Sequence, residues 1–287
     1  MSESNAASQA GIQSIFHPSD FSQASEVAFA HALKIALVTH GTLSVLHVAS
    51  DNNADWTDFP GVRETLERWQ LIPKGSGRGA VAELGIRVRK VVESSSDPVK
   101  ACLQYLEKRP ADLIVLAVRQ RERHMRWLDK SVGQPIARAA GEMTLFIPHG
   151  VTGFVSRDDG AVSLRSILIP IAPRPRPQPA VEAAARLIRN LQLPPGSVTL
   201  LHVGSPGEMP AVKIPDDTGW TWNQRYGNGD PAQAILSTAS ETAADLIVMT
   251  TEGPNGFLDA LRGSTTEQVL RQAKCPLASL PIGSFLG

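Results

Sequence analysis

The feature that most restricts what this chain can fold into is that it states one plan twice. "QSIFHPSDFSQASEVAFAHALKIA" from Gln13 and "RSILIPIAPRPRPQPAVEAAARLI" from Arg165 each give a short apolar run, a proline-marked turn and a helix with apolar residues at 3.6 spacing. Both lead into a second strand ending in the same tripeptide, "LSVLHV" to Val48 and "VTLLHV" to Val203. "SDPVKACLQYLEKRPADLIVLA" from Ser96 then matches "GDPAQAILSTASETAADLIVMT" from Gly229. Asp97-Pro98 and Asp230-Pro231 set an N-cap and a first-turn proline at a helix start. The last blocks, "KSVGQPIARAAGEMTLFIP" from Lys130 and "GSTTEQVLRQAKCPLASLP" from Gly263, follow in the same order.

Each repeat therefore reads as strand, helix, strand, variable segment, strand, helix, strand, helix, strand. Helices alternating with short apolar strands force parallel pairing through right-handed crossovers, hence an α/β sandwich. "DLIVLAV" and "DLIVMTT" suit central strands buried on both faces. Ligands in such sheets sit beyond the carboxyl ends of the strands. The candidate loops follow Phe16, Val48 and Leu116 in the first repeat and Ile169, Val203 and Met249 in the second. Between Val48 and Asp97 the first repeat has room for an amphipathic helix, "PGVRETLERWQLI", and a strand, "IRVRKVV". The second repeat covers the same step, Val203 to Asp230, in about half the length, so it is expected to lack its second helix and to use Trp220 or Trp222 as cover. The domains are expected at residues 1–150 and 164–287, with "PHGVTGFVSRDDGAVSL" as a short Gly- and Asp-containing linker.

Composition narrows the function classes. A chain of 287 residues with 42% hydrophobic and 20% charged residues is that of a globular protein. Its 28 basic and 28 acidic residues balance, which gives no global pull toward nucleic acid or an anionic membrane. No apolar run reaches the roughly 20 residues needed to span a bilayer. "MSESNAASQAG" lacks the basic and apolar parts of a secretory leader. Cys102 and Cys275 form no CxxC pair, which fits a reducing cytoplasm. No metal-ligand spacing and no Ser/His/Asp or Cys/His set stands out, so no catalytic residue and no metal site is assigned.

The repeat, with "HPSDFSQASEVAFAHAL", "LHV", "ADLIVM" and Gly253-x9-Gly263-Ser264, resembles the universal stress protein family over nearly the whole chain, twice. The resemblance implies two tandem domains, each a five-stranded parallel α/β sandwich of the adenine nucleotide alpha-hydrolase-like kind, the second shortened. It also implies pairing through the last strands, "MTLFIP" and "LASLP", as an intramolecular pseudo-dimer, and leaves a further homodimer open. ATP-binding members of the family carry G-x2-G-x9-G-[S/T] after the fourth strand and an aspartate after the first.

Carried over position by position, the pattern divides between the repeats. In the second, Thr250 replaces the first glycine while Gly253, Gly263 and Ser264 match; the aspartate is replaced by Ala172. The expected nucleotide contacts there are Pro170, Val203, Met249, Thr250, Gly253, Gly263, Ser264 and Thr265. In the first repeat Asp20 survives, but Ala117, Gln120 and Lys130 occupy the glycine positions and only Ser131 remains, so Asp20, Gln120 and Ser131 mark a degraded site. Losing one hydrogen bond to a charged group is worth roughly 1.5–3 kcal/mol, about a tenfold to hundredfold loss of affinity. Thr250 is expected to narrow the turn with its β-branched side chain. The resemblance implies a cytoplasmic, non-catalytic stress-response protein with an unidentified protein partner and a degenerate or weak adenine-nucleotide site in the second domain. The alternative is a nucleotide sensor or slow ATPase holding ATP, with magnesium, on the second glycine loop. A third reading is a small-ligand pocket around Asp20, His17 and Gln120.

Other motifs read as structure. "RQRERHMRW" (Arg119 to Trp127) is either an anion or partner patch or a solvated face. His47 and His202 hold equivalent places, as inherited structural residues would. Asp112 and Asp245 open the fourth strands, away from the cleft. "GSGRG" reads as a flexible loop, and "PRPRPQP" as a stiff extended segment before a helix at Val181.

Overall fold

The computed structural model describes residues 11–49, 59–118, 143–216, 218–251 and 265–282. The first repeat comprises β1 (Ser14–Pro18), α1 (Gln23–Thr39), β2 (Thr42–Ala49), α2 (Val62–Arg68), α3 (Gly79–Glu83), β3 (Arg87–Ser94), α4 (Pro98–Lys108), β4 (Leu113–Val118) and β5 (Met143–Pro148). The second comprises β6 (Ser166–Pro170), α5 (Gln178–Asn190), β7 (Ser197–Val203), β8 (Thr221–Gly227), α6 (Pro231–Glu241), β9 (Leu246–Thr251), α7 (Thr265–Gln272) and β10 (Leu277–Pro281). All ten strands among the described residues lie in one sheet, in the order β3-β2-β1-β4-β5-β10-β9-β6-β7-β8. Each half is a parallel five-stranded unit with the same internal order. The halves join where β10 runs antiparallel to β5, with Leu277 opposite Phe146, Ala278 opposite Leu145 and Ser279 opposite Thr144. The expected pseudo-dimer is thus built into one chain.

Local chemistry explains the repeated elements. Asp97 caps α4 by accepting from the Lys100 N–H at 3.1 Å, and Asp230 caps α6 from the Gln233 N–H at 2.9 Å, each followed by its proline. Asp112 accepts from the backbone N–H groups of Gln13 and Ser14 (2.8 and 2.7 Å). Asp245 does the same for Arg165 and Ser166 (2.7 and 2.9 Å). These carboxylates bolt the first strand of each half to the fourth, at the end away from the candidate clefts, as expected for structural residues. One apolar layer runs beneath α1, α2 and α5, and the other beneath α4, α6 and α7. In the second half only a single 3₁₀ turn, Pro206–Glu208, occurs among the described residues between β7 and β8. Buried Trp220 and partly buried Trp222, Met209, Val212 and Ile214 cover that face instead.

Two sequence expectations change. The helix expected at Val181 begins at Gln178, taking Pro179 into its first turn, where a missing N–H costs nothing. The stretch expected as a short linker is a folded strap. Residues 149–165 carry a Val155–Val162 antiparallel bridge and bury Phe154, Val155 and Leu164, with Phe154 and Val155 held against His31 of the first half. Its Gly and Asp content signalled turns, but its apolar residues decide where it lies.

Candidate functional site

The carboxyl ends of the strands are organised by one device used twice. After β1 the Ser19 N–H donates to Leu46 (2.8 Å), and His47 Nδ1–H donates to the Ser19 carbonyl (2.8 Å). After β6 the Ile171 N–H donates to Leu201 (2.7 Å), and His202 Nδ1–H donates to the Ile171 carbonyl (3.0 Å). The shared "LHV" is therefore a staple that fixes the first turn of the cleft against the second strand. Its sequence signal was the paired position of the histidines; the bond itself joins residues 28 and 31 apart.

In the second half, Pro170 ends β6, Val203 ends β7, and Met249 and Thr250 lie within β9. These are adjacent strands in the order β9-β6-β7, so the structure brings the four expected contacts to one mouth. Thr265 is the first residue of α7. Gly253, Gly263 and Ser264 lie outside the described residues. Thr250 does not narrow a turn: it is buried in the strand opposite Leu280, where a β-branched residue is well placed. Beyond Val203 the chain turns at Gly204 (φ +147), where a Cβ would sit 2.8 Å from His202 Nε2. Backbone without a side chain thus lines the way out of β7.

The first half is different. Asp20 turns back on its own chain, accepting from the Ser22 N–H at 3.0 Å and from the Ser22 hydroxyl at 2.6 Å. Phe21, at φ +59, stacks its ring on His47 with centroids 3.9 Å apart and planes 16° apart. Phe59 meets both rings edge-on, and Lys90 Nζ lies 5.7 Å from its centroid. These aromatics occupy the space over the ends of β1 and β2. Ala117, at the first glycine position of the pattern, is inside β4 opposite Ile147. Gln120, Ser131 and the arginine-rich stretch lie outside the described residues.

His17 is not a cleft residue. It is fully buried, its Nδ1–H donates to the Val115 carbonyl (3.0 Å), and its Nε2 faces the Ser25 hydroxyl (3.3 Å). Burial lowers its pKa from 6.5 to about 4 against the opposing pull of the Val115 bond. The pocket expected around Asp20, His17 and Gln120 therefore loses His17, because a strand residue pointing into the helix layer cannot also face the strand ends. Burial pushes both thiols, Cys102 and Cys275, up to about 12, which leaves them poor nucleophiles. Among the described residues no three His, Cys, Asp or Glu side chains come together as a metal site, and no helix is long and apolar enough to cross a membrane.

Two parallel α/β units joined edge to edge, each with its turns gathered at the carboxyl ends of the strands, define a tandem protein of the open-sheet class. Comparison with known proteins names the class further. The chain belongs to the Universal stress protein family, whose profile matches residues 11–148 and 222–281. A universal stress protein of Methanocaldococcus jannaschii is 34% identical over 96 residues, which span 33% of this chain and 52% of that relative. The chain thus matches about half the length of that relative. Among solved structures, a universal stress protein from Archaeoglobus fulgidus superposes with a TM-score of 0.61 at 18% identity, covering 94% of this chain and 96% of the other. A functionally unknown protein from Pseudomonas aeruginosa gives the same TM-score at 14% identity, over 98% and 96%. At these identities the superpositions speak to the fold.

Proposed function

We propose that the chain is a stress-response protein without catalytic turnover, acting in the cytoplasm by binding a protein partner, with one weakened adenine-nucleotide site, in its second half. The observation that supports this most is the asymmetry of the two mouths. In the first half Phe21, His47 and Phe59 fill the space over β1 and β2, and Asp20 is engaged by Ser22. In the second, His202 staples the turn at Pro170–Ile171, Gly204 leaves bare backbone beyond β7, and β9 ends at Thr251, with Gly253, Gly263 and Ser264 following in the sequence. The pattern's aspartate is Ala172 there, so the site lacks one polar contact to the nucleoside.

A second reading is favoured by Thr265, which opens α7 directly after the glycine segment and offers a hydroxyl at the positive end of that helix. In that reading the loop holds ATP with magnesium, and the protein is a sensor or slow ATPase. Calorimetry with ATP and magnesium separates the two. Affinity no better than millimolar supports the first. Submillimolar binding that Gly263→Gln abolishes, while leaving the unfolding midpoint unchanged, overturns it in favour of the second.

A further inference from the structure

We infer that the strap of residues 149–165 is a latch released by acid, held on the first half by the imidazole of His31. His31 lies in the middle of α1 and is fully buried. Its Nδ1 is 2.8 Å from the Val27 carbonyl, which can only accept, so the proton is on Nδ1 and Nε2 is a bare lone pair. Two strap N–H groups converge on that lone pair, Phe154 at 3.0 Å and Val155 at 3.2 Å. Gly153, at φ +68, makes the approach feasible: a Cβ there would sit 2.3 Å from His31 Nε2 and Cε1. The Phe154 ring meets the imidazole edge-on at 4.6 Å and is buried.

The strap's other side-chain hydrogen bonds to the helices here centre on Arg157 and are exposed or part-buried. The Arg157 carbonyl accepts from Arg68 Nε (2.9 Å) and Trp69 Nε1 (3.0 Å), and its guanidinium pairs with exposed Glu26 at 3.0 Å. The charged groups around this contact are Glu26 and Lys34 on α1, Arg68 on α2, and Arg157, Asp158 and Asp159 on the strap. The strands beneath α1 contribute apolar Ile15, Leu113, Val115 and Leu145. Of the charged groups none shifts His31; burial lowers it, to about 4, with only the Val27 carbonyl acting the other way.

Protonation at Nε2 would turn the shared acceptor into a third donor facing two donors, and would leave a charge in an apolar layer. The strap must then leave. With it moves one wall of the cleft of about 540 Å³ that the strap forms with Gln23, Ala24 and Val27 at the start of α1. The strap is also the covalent path from β5 to β6, so its release loosens the tie between α1 and the second half while the β5–β10 pairing stays in place.

Amide exchange on the full chain, corrected for the intrinsic effect of pH, tests the latch, with Ile114 and Val115 in β4 reporting global opening. At neutral pH the Phe154 and Val155 amides should exchange faster than those of β4. Their opening constant should rise about fiftyfold between about pH 7 and pH 4.5, the factor set by the difference between 6.5 and about 4. His31→Gln, which supplies a neutral acceptor, should keep the strap closed and abolish that rise. The inference is overturned if strap and β4 amides share one protection factor at every pH, or if the variant keeps the fiftyfold response. A second measurement needs no variant: the ¹⁵N shifts of His31 should show an Nδ1–H imidazole at neutral pH. Their titration midpoint should lie near 4, where the rise in strap exchange levels off, and a midpoint near 6.5 would overturn the latch.

Discussion

Two histidines buried as neutral rings make this protein's stability depend on pH in a calculable way. His17 and His31 are each fully buried, and each has its pKa lowered from 6.5 to about 4. The unfolded chain takes up these protons first, so each contribution is fully present above about pH 6.5 and is lost as pH falls toward about 4. The whole span is worth about 3 kcal/mol per histidine, and at pH 5 about 2 kcal/mol of it is already gone. Two such rings remove about 4 kcal/mol by pH 5, a large part of a typical total of roughly 5–15 kcal/mol. Asp159 does not offset this: its hydrogen bonds to Ser156 and Ala161 hold it below the usual carboxylate range, under the window in question. Urea unfolding at about pH 7.5 and pH 5 measures the loss, with the slope m checked for constancy. His17→Asn keeps a donor near the Val115 carbonyl but cannot titrate, so the variant should lose only about 2 kcal/mol over the same interval. A wild-type loss below about 1 kcal/mol, or an undiminished loss in the variant, would refute the assignment of neutral buried rings.

The two aspartate caps should behave as independent copies: Asp97→Ala and Asp230→Ala should each lower unfolding free energy by about 1 kcal/mol, and the double variant by their sum, in urea titrations. Cys102 and Cys275 should resist a thiol-reactive disulfide reagent at neutral pH and react only in denaturant, since burial pushes both to about 12; rapid labelling of the folded chain would contradict their placement.

Most of the architecture was legible in the sequence because the repeat could be checked against itself. An Asp-Pro pair or an apolar run that recurs in the same order carries more weight than it would alone, and the tandem sheets, the caps and the missing helix all followed from that. What was not legible depends on distance or on mixed signals. Thr250 read as a turn residue because the resemblance placed a glycine there, yet its neighbours and its β-branching kept it in β9. His17 entered the sequence reading as one member of a pocket with Asp20 and Gln120, but the alternation of β1 turns it inward. The strap's glycines and aspartates outweighed Phe154 and Val155 in the reading, and the partner that holds them, His31, lies 123 residues away. The filling of the first mouth was hidden for the same reason, since Phe21 and Phe59 carry no pattern until His47 lies between them.

The antiparallel join between β5 and β10 has a bearing on how the two halves can evolve. Because it reverses strand direction, Asp20 and the end of β9 face opposite rims of the sheet. Four strand spacings of about 4.8 Å and one strand length of about 17 Å put them roughly 25 Å apart. The aspartate kept by one half and the glycines kept by the other therefore cannot be pooled into a single working cleft by any motion that preserves the sheet. Each rim is left to drift on its own, and restoring a complete constellation would require replacing Ala172 and Thr250 in the second half or the residues at 117, 120 and 130 in the first. The fusion that sets both halves in one sheet also forbids them from repairing one another.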